Sequence, residues 1–275
     1  MILNGSGSKY CSHDVLHFLV DVGNTRIKAA PVSADGSIGI LSAVPVSDSP
    51  AEFDDQFEGF VTSLPGAAFA LASGQVELLI SDPANRLTKA VEAFSQRHSC
   101  PVEHMDTAKL PGRILTRNPE RLGTDRLAAA LGAFRRFGSQ AAVIDMGTAL
   151  CVDLVTADGA YAGGIVCPGI DLSYRALHEQ TGLPLPLFSS PSMNAAMPIT
   201  TEEALSRGGR IAVPSLIDGL IRHVRSFAGN DLPVILTGGG CMPFLDLLPE
   251  DLPYDPELNL RGMAEYIRLT TGAFS

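Results

Sequence analysis

With 275 residues, 45% of them hydrophobic and 18% charged, the chain has the composition of an ordinary globular protein and the length for one large or two medium domains. Its 30 acidic against 20 basic residues leave a formal charge of −10, which argues against nucleic acid or an anionic lipid surface as a partner. Five scattered cysteines, Cys11, Cys100, Cys151, Cys167 and Cys241, form no CxxC pair, so neither a disulfide framework nor a zinc knuckle is expected and a reducing cytoplasm fits best.

In chain order, the opening MILNGSGSKYCSHDV lacks the basic start and long apolar stretch of a signal peptide, and no later run reaches the roughly 20 apolar residues of a membrane helix. Residues 1–15 read as a poorly ordered Gly- and Ser-rich extension in which His13, four before His17, is incidental rather than a metal ligand. LHFLVDVGNT then reads as an apolar strand from Leu16 to Val22 running into a polar, glycine-containing turn. An amphipathic helix is expected from Asn85 to Phe94, and a stronger one from Asp125 to Phe137, closed by basic residues and Gly138.

The grammar of the first strand recurs nearly half the chain later. Ala141 to Ile144 is an apolar strand followed by Asp145, Gly147 and Thr148, a second strand, a turn at Asp158-Gly159 and a third strand. This repetition predicts two copies of one unit, residues 16–138 and 139–275, each opening as a β-meander and continuing into helices. Thr201 to Arg207 and Val213 to Phe227 read as two helices, Pro233 to Gly238 as a strand, and the stretch from Asn259 as a closing helix.

DVGNTRIK carries a carboxylate (Asp21), a glycine that lets main-chain amides approach an anion (Gly23), two polar side chains (Asn24, Thr25) and a cation (Lys28). Those are the parts of a phosphate cradle, although neither a Walker loop nor a Rossmann fingerprint is present. DMGTA repeats it, and two such turns across a cleft could hold the β- and γ-phosphates of a nucleotide. LTGGGC, Leu236 to Cys241, ends a strand in glycines against which a flat adenine ring could lie. In NPERLGTDRLAA, Asp125 and Arg126 open the strongest helix, where the dipole favours an anion. There a carboxylate can take a hydroxyl proton while the guanidinium grips a substrate carboxylate through both edges.

In the order DVGNTRIK, PERLGTDRLAAALGA, IDMGTALCVDLV, GAYAGGIVCPG, ALHEQTGLPLP, TEEALSRG and ILTGG, the chain resembles the type III pantothenate kinases of the actin-like acetate and sugar kinase superfamily. The resemblance implies an α/β fold of two duplicated actin-like (ribonuclease H-like) domains, with mixed sheets flanked by helices around a central nucleotide cleft. It implies a cytoplasmic homodimer that phosphorylates pantothenate with ATP, Mg²⁺ and a monovalent cation, K⁺ or NH₄⁺. By the same resemblance, Asp21, Val22, Gly23, Asn24, Thr25, Arg26, Ile27 and Lys28 bind the ATP phosphates, with Thr148, Gly238 and Gly239, and Asp21 places Mg²⁺. Asp145 holds the monovalent cation, Asp125 accepts the proton, and Gly123, Thr124, Asp125, Arg126, Thr116 and Thr201 form the acceptor site. Thr116 stands where the family usually has a tyrosine, and Thr200 where it commonly has an asparagine. A related kinase with another acceptor and an ATP-binding regulator of low activity are the alternative readings.

Overall fold

The computed structural model describes residues 16–271, except 34, 48, 111 and 189–195. The expected extension over residues 1–15 lies outside the described residues. Two mixed sheets form the framework, in which β1 (Leu16–Val22), β2 (Arg26–Val32), β3 (Ser42–Pro45), β4 (Val76–Ser81) and β5 (Val102–His104) make the first, in the order β3-β2-β1-β4-β5. The second consists of β6 (Ala141–Met146), β7 (Ala149–Val155), β8 (Tyr161–Pro168) and β9 (Val234–Thr237), in the order β8-β7-β6-β9. In each, the first strand pairs antiparallel with the second and parallel with the fourth, so the meander predicted from the repeated motif is present twice.

Helices α1 (Phe53–Ser63), α2 (Ala67–Ser73) and α3 (Thr88–His98) cover one face of the first sheet, with Phe57, Phe60 and Phe94 buried against Phe18, Val20 and Ile80. Helix α3 starts later than expected from Asn85 because Asn85 is held at φ 52°, outside the helical region, while the Asp82 carboxylate accepts from the amides of Arg86 and Leu87.

The other faces of the two sheets meet around a single helix pair. Helix α4 (Thr124–Phe137) packs on β6 and β7 of the second sheet, and α7 (Leu258–Thr271) on β1 and β2 of the first. Where the two helices cross, no side chain intervenes. A Cβ on Gly132 would lie 2.3 Å from the Leu258 carbonyl oxygen, and one on Gly262 would lie 1.7 Å from that of Ala128. Leu19, Leu79, Leu127, Val143, Tyr161, Leu258 and Met263 belong to the core built around this crossing.

Between β8 and β9 lie α5 (Ile170–Thr181) and α6 (Thr201–Ala228). The two helices expected over this region are one, running through Pro214. Gly209, between the two expected helices, is a packing site: a Cβ there would fall 2.2 Å from the Phe188 ring. Among the described residues, no helix is long and apolar enough to cross a membrane. The two mixed sheets with their flanking helices make this an actin-like α/β fold.

Candidate active site

Strand β1 delivers Asp21 to the top of the first sheet, in register with Lys28 on β2 and Ser81 on β4. The residue is only 6% exposed, and burial pushes its pKa up to about 6. The charge of Lys28 and a hydrogen bond from Asn259 on α7 oppose that rise, and the charge of Asp125 adds to it. The turn that follows has its carbonyls tied back: Arg26 accepts from the Gly23 amide at 2.9 Å, Thr25 from the Val46 amide at 3.0 Å, and Asn24 from the Arg86 guanidinium. Oxygens that would repel an anion are thus committed elsewhere, while Asn24, Thr25 and Arg26 are exposed. Val22 and Ile27 bury their side chains in the core, so only their main chain is available to a ligand. Lys28 donates to the Pro256 carbonyl at 3.2 Å and so reaches the segment leading into α7.

Strand β6 delivers Asp145 in the same way, in register with Cys151 and Thr237. No cation stands opposite it in the register. Burial, with the charges of Asp21 and Asp125, lifts its pKa to about 7. The next turn exposes Thr148, whose carbonyl accepts from Gly169 at 3.0 Å; a Cβ on Gly169 would sit 2.3 Å from that oxygen. Gly238, at φ 89°, abuts the same strand end, since a Cβ there would lie 2.4 Å from Asp145 Oδ1, and Gly240 abuts Met146. Of the three glycines, two press main chain against β6, and Gly239 alone faces open space.

The N-terminus of α4 completes the cluster. The Thr124 hydroxyl meets that of Ser81 at 3.0 Å, anchoring the helix to β4 beside Asp21. Gly123 leaves room for the Asp125 carboxylate, whose Oδ1 accepts from the Arg126 amide at 2.8 Å and would lie 2.5 Å from a Cβ at position 123. Asp125 lies close enough to Asp21 and Asp145 to raise the pKa of both. Beyond it is a cavity of about 280 Å³ whose walls include Thr116, Arg117, Arg121, Arg126, Tyr161 and Gly164. The Thr116 hydroxyl is buried there without a hydrogen-bond partner among the described residues.

Not every expected site residue joins this assembly. Thr201 is exposed at the start of α6 and does not line the cavity. Its neighbour Thr200 caps that helix, accepting from the Glu203 amide at 3.2 Å, a role asparagine also fills well. Arg126, expected to offer both edges to a substrate carboxylate, places one against Asp153 instead. Asp153, Tyr161, Ser81 and Asn259 were missed by motif reading. The signal for Asp153 was a carboxylate within the otherwise apolar strand ALCVDLV, which demands a buried partner. Among the described residues, no group of three or more His, Cys, Asp or Glu side chains is arranged to hold a metal ion. A Mg²⁺ bound largely through phosphate and water needs only one or two carboxylates, and buried Asp21 and half-buried Asp145, whose pKa values are both raised, fit an added cation.

A family model for type III pantothenate kinase matches residues 17–223. A type III pantothenate kinase from Nocardia farcinica is 31% identical over 252 residues, spanning 89% of this chain and 94% of that protein. One from Caulobacter vibrioides is 37% identical over 171 residues, 62% of this chain and 66% of its own length, and one from Hyphomonas neptunium 38% identical over 152 residues, 55% and 59%. Among solved structures, component A of the Acidaminococcus fermentans (R)-2-hydroxyglutaryl-CoA dehydratase superposes with a TM-score of 0.55 at 13% identity, covering 95% of this chain and 98% of that one. The activator of the Clostridium difficile 2-hydroxyisocaproyl-CoA dehydratase, solved with bound ADPNP, gives 0.54 at 13% identity over 94% of each chain; both likenesses are of fold. With its two carboxylate-bearing turns, its Gly-x-Asp-Arg helix start and these matches, the chain belongs to the type III pantothenate kinase family.

Proposed function

We propose that this chain transfers the γ-phosphoryl group of ATP to the hydroxyl of pantothenate, forming 4′-phosphopantothenate on the route to coenzyme A. The observation that carries the reading is the convergence of Asp21, Asp125 and Asp145 from β1, α4 and β6 beside an arginine-lined cavity. In phosphoryl transfer the protein contributes positioning and charge more than covalent chemistry, which this arrangement suits.

Asp125 is the group that takes the acceptor hydroxyl's proton, and Gly123 gives its carboxylate space to turn towards the cleft. The turn at residues 23–26 and the exposed Thr148 cradle phosphate from opposite sides, with Lys28 adding positive charge. Gly239 offers open main chain to the adenosine end. Asp21 would hold Mg²⁺ and Asp145 a K⁺ or NH₄⁺ ion. When bound, these ions would add positive charge beside the two carboxylates, of the kind the transferring phosphoryl group requires. Arg117 and Arg121 are exposed at the cavity and attract an acceptor that ends in a carboxylate, as pantothenate does.

We read residues 16–138 and 139–275 as the two bodies that close on the nucleotide. The working form is a homodimer: Leu187, Met197 and Ile199 are 77%, 83% and 92% exposed near the start of α6, an apolar surface that a second copy would cover while bringing Thr201 to the partner's acceptor site. The free thiols of Cys100, Cys151, Cys167 and Cys241 suit a cytoplasmic location. The test is ADP release from ATP and Mg²⁺ with pantothenate, with and without K⁺. Pantothenate-dependent turnover is expected; ATP binding without it, together with turnover of another hydroxy acid, would reassign the acceptor.

A further inference from the structure

Arg126 is held by one edge of its guanidinium. Its Nε donates to Asp153 Oδ1 at 3.0 Å and to Oδ2 at 3.3 Å, and Nη2 donates to Oδ1 at 2.6 Å. The Tyr161 hydroxyl donates to the same Oδ1 at 2.6 Å. Asp153 itself is 1% exposed and lies on β7, in register with Gly164 on β8. A Cβ on Gly164 would fall 2.3 Å from Asp153 Oδ1 and 2.6 Å from Arg126 Nη2, so only glycine leaves room for the pair. Arg126, Tyr161 and Gly164 all line the acceptor cavity, whereas Asp153 does not. Burial works against an ionised Asp153 and raises its pKa, and the hydrogen bonds from Arg126 and Tyr161 offset that in part.

A buried ion pair is weak evidence of a stabilising role, because apolar residues of similar size often serve as well. This pair is also placed where orientation matters. Arginine has many rotamers, and clamping its Nε–Nη2 edge fixes the plane and leaves Nη1, which makes no hydrogen bond among the described residues, for a ligand. We propose that Asp153 is a positioning residue for phosphoryl transfer: it acts through Arg126, holding the guanidinium so that its remaining edge orients the acceptor against the neighbouring Asp125. The inference rests on the reading of the cavity as the acceptor site. One edge of Arg126 is already taken by Asp153, so what it offers a ligand is direction more than bare charge.

The test is a double-mutant cycle in the full-length protein with pantothenate as acceptor. Asp153→Asn is expected to raise the KM for pantothenate about tenfold with the KM for ATP unchanged, and to have no further effect when Arg126 is already alanine. Equal losses with and without Arg126, or a matching rise in the ATP KM, would overturn the proposal in favour of a structural role. Tyr161→Phe removes only the outer hydrogen bond. It is expected to raise the pantothenate KM about threefold, again only while Arg126 is present, and it carries the cycle if Asp153→Asn fails to fold. A wild-type protein that phosphorylates a different acceptor would count against pantothenate alone, and the same cycle run on that acceptor would decide the positioning role. No turnover of any hydroxy acid would remove both.

Discussion

The two halves share the order of their first four strands and place one aspartate at the same point of each meander, yet the two aspartates have different neighbours. Asp21 faces Lys28 across the first hairpin, whereas Asp145 faces Cys151 across the second. The first turn runs from Gly23 to Arg26 and is braced by Arg86 and Val46; the second, from Gly147 to Ala149, is one residue shorter and is braced by Gly169. Burial raises both carboxylates first; the charge of Lys28 opposes the rise at each, the Asn259 hydrogen bond adds to that opposition at Asp21, and the charges of Asp21 and Asp125 add to the rise at Asp145. The two backbones match at these strand ends, and the residue across the hairpin differs. One carboxylate has a lysine directly across the hairpin, and the other feels the same Lys28 only from a distance.

The largest effect is expected at the residue both aspartates share as a neighbour. Asp125→Asn should lower turnover by roughly two to four orders of magnitude while leaving ATP binding intact; full activity in the variant would remove Asp125 as the base. Next, Lys28→Ala should make the first half resemble the second, raising the KM for ATP by roughly ten- to a hundredfold, the worth of a charge-assisted contact. Unaltered nucleotide affinity would show that the first cradle lies elsewhere.

The converse change, Cys151→Lys, gives Asp145 a built-in cation, and turnover measured with and without K⁺ should lose about tenfold or more of any K⁺ stimulation seen in the wild type. Continued stimulation would separate Asp145 from the ion. The smallest effect is on stability. Asp145 with a raised pKa binds its proton more tightly when folded, so its favourable contribution is complete below the unfolded value near 4 and is lost as pH rises through about 7. Asp145→Asn should therefore stabilise the ligand-free protein by on the order of 2 kcal/mol at about pH 8 and by almost nothing at about pH 4. Thermal melts showing the same gain at both pH values would contradict the burial argument.

Much of this was readable before any coordinates. Leu16 to Val22 announced a strand by its apolar run and its polar end, and α4 by its Ala- and Leu-rich spacing closed at Gly138. The repeated Asp-x-Gly turn revealed the duplication. What stayed hidden depended on partners distant in sequence. The gap expected between Arg207 and Val213 is helix in the structure, where the Phe188 ring fills the space over Gly209, a contact the sequence does not display. Arg126 read as a substrate clamp because Asp153 is 27 residues away and shows its role only when β7 lies beside α4. Asn259 reads as a helix start, and its reach to Asp21 appears only once α7 returns to β1.

That return also sets the order in which the molecule can be made. The face of the first sheet built by Leu19, Ala30 and Leu79 shares its core with Leu258, Met263 and Tyr266 of α7. A chain that has emerged only as far as α6 therefore exposes a half-covered sheet, and the backbone-to-backbone seat of Gly262 on Ala128 cannot form until α7 has emerged too. Contacts of such long sequence separation make for slow folding, and a chain cut before Leu258 loses the cover of its first strand along with the site.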